Sequence, residues 1–291
     1  MQNYPSSTEA AAGRPATVRP IAFRVRILEH VGARDGDDLV VPEPRSVRFA
    51  FEEIGIEEAL AVQDGAGRPT DAAILTILIF LPTGAQTSFD IQKQVEEWMG
   101  SRPGEHGAPY EVPYRSDRIL WRRARAACFG IDEFYDDIRR ALAYFSLCER
   151  ELALLEDRVT AGWSGVHEDI PLTHSVTRRE LGRQPIVDLR TREAHNMRVA
   201  FIRLDTALER LDRVLSAPAQ RIVLELAQQA DTIDRLRLLD DAIEIAQEVY
   251  DTANDRLLEY RYFRSEVIME IIIAALLLAE FIVVVLDILD R

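Results

Sequence analysis

Apolar residues recur along this chain with different periods, and the places where the period changes divide it into regions. Ile21, Phe23, Val25 and Ile27 alternate with Ala22, Arg24 and Arg26, the two-residue period of a half-buried strand. Val47, Phe49 and Phe51 alternate likewise, and the run from Ala73 to Leu81, closed by Pro82, is apolar enough for a central strand. Helical spacing follows in Ile54 to Val62 and Phe89 to Met99. Residues 20–113 therefore predict a small α/β domain with a sheet of three or more strands, and the glycine- and proline-rich stretch from Gly100 to Pro113 reads as a connector.

Beyond about Ser116 the period becomes helical. Ile131, Phe134, Ile138, Ala141, Phe145, Cys148, Leu152 and Leu155 fall on a and d positions of successive heptads. Gly162, Gly165, Pro171 and Gly182 interrupt the pattern, which predicts a chain-reversing loop over residues 160–185. A second stripe follows in Met197, Phe201, Leu204, Leu208, Leu211 and Leu215, and Pro218 marks the next break or helix start. The third pattern, Leu236, Leu239, Ile243, Ala246, Tyr250, Ala253, Leu257 and Tyr260, meets no breaker. A helix from Asp231 to Leu289 would be roughly 90 Å long at 1.5 Å per residue. These stripes either face one another in one intramolecular bundle over 114–262 or pair with other chains as a coiled-coil stalk.

Val267 to Leu286 is almost wholly apolar, long enough for one bilayer crossing, and 263–289 is read as a transmembrane helix. The predicted class is thus α+β, with a long-helix bundle and a C-terminal span. Glu270 and Glu280 interrupt the span, and an acid at the centre of an inserted helix costs about 2.5 to 3.5 kcal/mol. At about 100° per residue Glu266, Glu270, Glu280 and Asp287 share one sector, so oligomer contacts would hide the acids while lipid covers the opposite faces. The competing reading buries this helix inside a soluble bundle. Arg256, Arg261 and Arg264 precede the span and only Arg291 follows, which predicts an inner-membrane protein with its N-terminal domain in the cytoplasm. Residues 1–19 lack an apolar signal core and read as a disordered leader.

A net charge of −14 argues against DNA and against general adhesion to anionic lipid. All basic residues except Lys93 are arginine, a bias attributed to a GC-rich bacterial genome. Cys128 and Cys148 sit at apolar helical positions and read as buried thiols in a reducing compartment.

No catalytic residue, cofactor or metal site is expected. Gly162-Trp163-Ser164-Gly165 lacks the spacing of a nucleophile elbow, and phosphate-loop and zinc signatures are absent. His167, Glu168, Asp169 and His174 have metal-ligating chemistry but read as solvated loop residues; the alternative is a metal-dependent enzyme. Arg115, Arg118, Arg122, Arg123 and Arg125 surround Trp121, a pattern that suits either RNA contact or a solvated helix face paired with acids.

Leu215-Ser216-Ala217-Pro218, the segment from Arg235 to Asp240, and Met269-Glu270 followed ten residues later by Glu280 together resemble the YagE family, relatives of a mitochondrial protein required for meiotic nuclear division. The resemblance covers the C-terminal third. It implies a membrane-anchored homo-oligomer without known enzymatic activity, whose mitochondrial relatives support translation, so a ribosomal or other protein partner is expected beside the lipid bilayer.

Overall fold

The computed structural model describes residues 20–28, 47–61, 74–81, 89–100, 108–114, 117–130 and 135–289, and the last described side chain is Ile282. The fold is mixed α+β and divides into two compact units.

The first unit is built on a six-stranded sheet: β1 (Ile21–Leu28), β2 (Arg48–Ile54), β3 (Ile74–Leu81), β4 (Tyr110–Tyr114), β5 (Asp117–Arg122) and β6 (Arg125–Phe129). Their order is β2-β1-β3-β6-β5-β4, antiparallel except where β3 runs parallel to β6. Alternation along β3 explains why it is central. Ile77, Ile79 and Leu81 join Val95, Trp98 and Met99 of α2 (Phe89–Gly100) and Ala59 of α1 (Ile56–Ala61) on one face. Phe80, from the intervening set, meets Phe23 and Tyr135 on the other, at 6.2 and 4.5 Å between ring centroids. Tyr135 opens α3 (Tyr135–His174), whose Phe145 packs edge-on against Trp121 of β5. Both sheet faces are covered, so β1 is more buried than its alternation predicts: Ala22 lies as deep as Val25.

The edge strand β4 is closed by α5 (Ala217–Gln229). The Gln229 carboxamide accepts from the Glu111 amide at 3.0 Å and donates to the Glu111 carbonyl at 2.7 Å, so a side chain completes the hydrogen bonds of a missing strand. Two residues on, Pro113 has no N–H to offer. The Ser216 hydroxyl caps α5, Pro218 sits in its first turn, and Ala219, Ile222, Val223 and Leu226 form its buried stripe.

The second unit is helical: α3 from Glu151 onward, α4 (Gln184–Glu209) and α6 (Thr232–Leu289). One core layer joins Val166 of α3, Ala194 of α4 and Ala246 with Tyr250 of α6. The next joins Leu172, Val187 and Ala253 with Leu257. Rising numbers in α3 and α6 against falling numbers in α4 make α4 antiparallel to both. The heptads of α6 therefore pack within the chain as far as Leu257, and α6 is continuous as its unbroken pattern predicts.

Several expectations are corrected. The loop over 160–185 is mostly helix: α3 continues to His174, and the reversal is confined to the residues before α4, which include a 3-10 turn at Glu180–Arg183. Pro171 lies close enough to the helix end, and on its exposed side, for the missing N–H to be tolerated. The sheet also continues beyond residue 113, because β5 and β6 occupy a stretch read as helical. Leu211 lies in a short 3-10 turn after α4 rather than on its stripe. The leader at 1–19, Ile131 and Phe134, and most of the connector after Gly100 lie outside the described residues.

Candidate functional site

The described part of α6 beyond Leu257 changes character within about three turns. Leu257 is fully buried, whereas every described side chain from Ile268 to Ile282 is exposed. Ile271 is 63%, Leu276 65% and Phe281 65% exposed, values appropriate to lysines on a soluble surface. Isoleucine and leucine dominate this segment, so its exposed surface far exceeds the isolated apolar patches of ordinary monomers. No described part of the second unit covers it.

Among the described residues no helix is long and apolar enough to cross a membrane. Description of the side chains stops at Ile282, short of Leu286 where the apolar run ends in sequence. Glu266, Glu270 and Glu280 are exposed on this helix, and the side chain of Asp287 lies outside the described residues.

Immediately before the apolar stretch, aromatic and charged side chains alternate. Tyr262 and Phe263 are exposed, and with Tyr260 they line a cavity of about 580 Å³ that also takes in His174, Arg256, Glu259 and Glu266. Arg256 donates to Glu259 at 2.8 Å. Arg261 and Arg264 are exposed, and neither makes an ion pair with a described residue; the Arg261 guanidinium lies 5.9 Å from the centre of the Tyr262 ring. In the sequence these arginines indicate only the orientation of the span. Tyr260, Tyr262 and Phe263 are interleaved with these arginines just before the apolar run, a further signal in the sequence.

Three of the arginines considered for RNA contact, Arg118, Arg122 and Arg125, hold other parts of the chain. Arg125 donates to the Trp98 carbonyl at 2.6 Å and Arg122 to the Met99 carbonyl at 3.1 Å. These are terminal carbonyls of α2, and two buried guanidinium groups there satisfy orphan acceptors and complement the negative end of the helix dipole. Arg118 pairs with Glu96 of the same helix and stacks on Phe129. Trp121 is buried, stacked on Tyr110 at 5.8 Å, with its indole N–H donating to the Ser146 hydroxyl at 2.8 Å. Arg123 is exposed at the β5–β6 turn with φ of 50°, and Arg115 lies outside the described residues. Arg122, Arg125 and Trp121 are thus drawn inward on strands β5 and β6, a correction to the helical face expected there.

The metal-ligand candidates are on helix α3, not in a loop. Asp169 is fully buried and accepts from Arg183 and Arg190, both at 2.6 Å, while Glu168 accepts from Arg190 at 2.9 Å. This network lies among the apolar layers of the helical unit. Burial raises the Tyr250 phenol, an effect opposed by Arg190, and the Asp169 hydrogen bond raises the Arg190 guanidinium further. Among the described residues no group of three or more histidine, cysteine or acidic side chains is placed to hold a metal ion. Gly162 to Gly165 lies inside α3, without the strand-to-helix turn of a nucleophile elbow. Cys128 and Cys148 are buried thiols not joined in a disulfide, and desolvation pushes the Cys128 thiol up, away from the reactive thiolate.

No family model matches the chain, and no curated protein matches it. A solved structure of the full-length CmaX protein aligns over 90% of this chain and 85% of its own, at 11% identity and a TM-score of 0.33, and it is a distant likeness from which no property is carried over.

Proposed function

We propose that the chain is a membrane-anchored homo-oligomeric scaffold. In this reading the end of α6 lies in the inner membrane and the sheet-containing unit is held at the cytoplasmic surface. The observation that carries the reading is the exposure of the apolar segment from Ile268 to Ile282, which needs lipid or another apolar surface around it. Glu270 and Glu280 give the reason for an oligomer: contacts between copies remove the acids from lipid. The resemblance to the YagE family adds a supporting role in translation or membrane organisation, with a ribosomal or other protein partner.

The second reading is a soluble oligomeric interaction module whose core is made by the same apolar segments. Exposed Leu238 and Ile245, seven residues apart on α6, favour further contacts between copies in either reading. No catalytic role is proposed, because Asp169 of the histidine and acid group is already occupied by two arginines.

The test compares cells expressing the full chain with cells expressing a version ending at Tyr262. Membrane anchoring predicts that the full chain resists carbonate extraction, needs detergent, and then runs as an oligomer, while the truncated chain is soluble. A full chain that is soluble and oligomeric without detergent establishes the second reading.

A further inference from the structure

We propose that Arg261 and Arg264 form a binding collar for the phosphate groups of anionic phospholipids; the proposal rests on the membrane reading of α6. Three observations converge on one short segment. Arg261 and Arg264 are exposed and three residues apart, so they share one side of the helix, and neither has an ion-pair partner among the described residues. The exposed apolar segment begins at Ile268, little more than one turn later, which places both guanidinium groups at headgroup depth when that segment is in the hydrocarbon. Tyr260, Tyr262 and Phe263 surround them, the side chains that favour the membrane–water boundary.

Charge decides the lipid class. The whole chain carries −14, which on its own would repel an anionic surface. Fields from distant carboxylates fade over about 8 Å at physiological ionic strength, so the collar's own charges govern contact with lipid. There Arg256 and Glu259 neutralise each other at 2.8 Å, leaving Arg261 and Arg264 against Glu266, while Glu270 stands a further turn along, inside the apolar stretch that begins at Ile268. Over residues 256–266 the balance is positive, and each guanidinium can take a phosphate through paired N–H donors. The acidic chain therefore meets the membrane through a small basic patch.

The experiment uses the full chain in neutral detergent and native mass spectrometry with dihexanoyl phosphatidylglycerol or dihexanoyl phosphatidylcholine as the probe. The expected result is a preference of roughly tenfold for the glycerol lipid, abolished in Arg261→Gln/Arg264→Gln while carbonate resistance is unchanged. Inorganic phosphate at the same concentration should fail to displace the lipid. Equal binding of the two lipids, a preference kept by the variant, or displacement by free phosphate overturns the proposal. Failure of the membrane reading is separate and visible beforehand, because the wild-type chain would then be soluble without detergent.

Discussion

Arg190 of α4 crosses Gly165 of α3 so closely that a Cβ on the glycine would stand 2.9 Å from the guanidinium Nε and 3.1 Å from the Tyr250 hydroxyl. Arg190 cannot simply swing aside, because Asp169 and Glu168 hold its two terminal nitrogens. Gly165→Ala should therefore destabilise the chain by about 1 to 2 kcal/mol despite alanine's better helix propensity. Gly162 is in the same helix with open space around it, and Gly162→Ala should stabilise by about 0.5 to 1 kcal/mol. Urea unfolding of both variants checks the contrast, and equal signs would refute the account of Gly165.

The Asp169 network predicts an asymmetry. Asp169 has no access to water, while the Arg183 and Arg190 side chains are 35% and 23% exposed. Asp169→Asn leaves two arginines that can turn toward solvent, at a cost of about 1 to 2 kcal/mol. Arg183→Gln/Arg190→Gln leaves a carboxylate buried without its charge partners and should cost about 3 to 5 kcal/mol. Denaturant midpoints for the two variants decide it: a larger loss for Asp169→Asn would contradict the assignment.

Arg125 makes a test of the basic cluster. Removing a buried guanidinium that caps α2 leaves the Trp98 carbonyl without its donor, so Arg125→Ala should lower stability by about 2 to 3 kcal/mol. Arg123→Ala, at the exposed turn, should change stability by less than about 0.5 kcal/mol. Thermal unfolding separates them, and an unchanged melting temperature for Arg125→Ala would return the cluster to the surface.

Asp205 gives a pH dependence. Desolvation, followed by Glu209 and Asp240, raises its carboxyl above the ordinary 3.8. The folded state therefore keeps this proton to higher pH than the unfolded chain does, so the group's contribution to stability falls as pH rises through the window just above that ordinary value. Asp205→Asn should raise the melting temperature by about one to two degrees at pH 7, the gain being small because the side chain is partly solvated. The gain should vanish near pH 3, where the carboxyl is protonated in both states. A gain that grows on acidification would reverse the sign of the argument.

Strand periods were legible because the side-chain period of a strand is a local property, and Phe23, Val25, Ile77 and Ile79 occupy the core positions that alternation assigns. The continuous α6 was legible for the same reason. Gly165 misled because its place in a helix depends on neighbours distant in sequence, Arg190 and Tyr250, whereas Gly162 and Pro171 are tolerated in α3 by open space and by nearness to the helix end. Arg122 and Arg125 looked like a surface cluster because no local pattern announces that a strand pair will reach the end of α2. At the candidate site the apolar run and its acids were evident, whereas the exposed setting of Tyr262 and Phe263 emerged only when α6 was seen to outrun its packing partners.

Because α6 is one helix from Thr232 to Leu289, its packed and exposed stretches share a single backbone hydrogen-bond ladder. A twist applied to Ile271 is delivered to Leu257 and Tyr250 with little slack, as torque is along a driveshaft. A load on the exposed stretch would therefore reach the packed layers around Tyr250 and Leu257 through one continuous backbone.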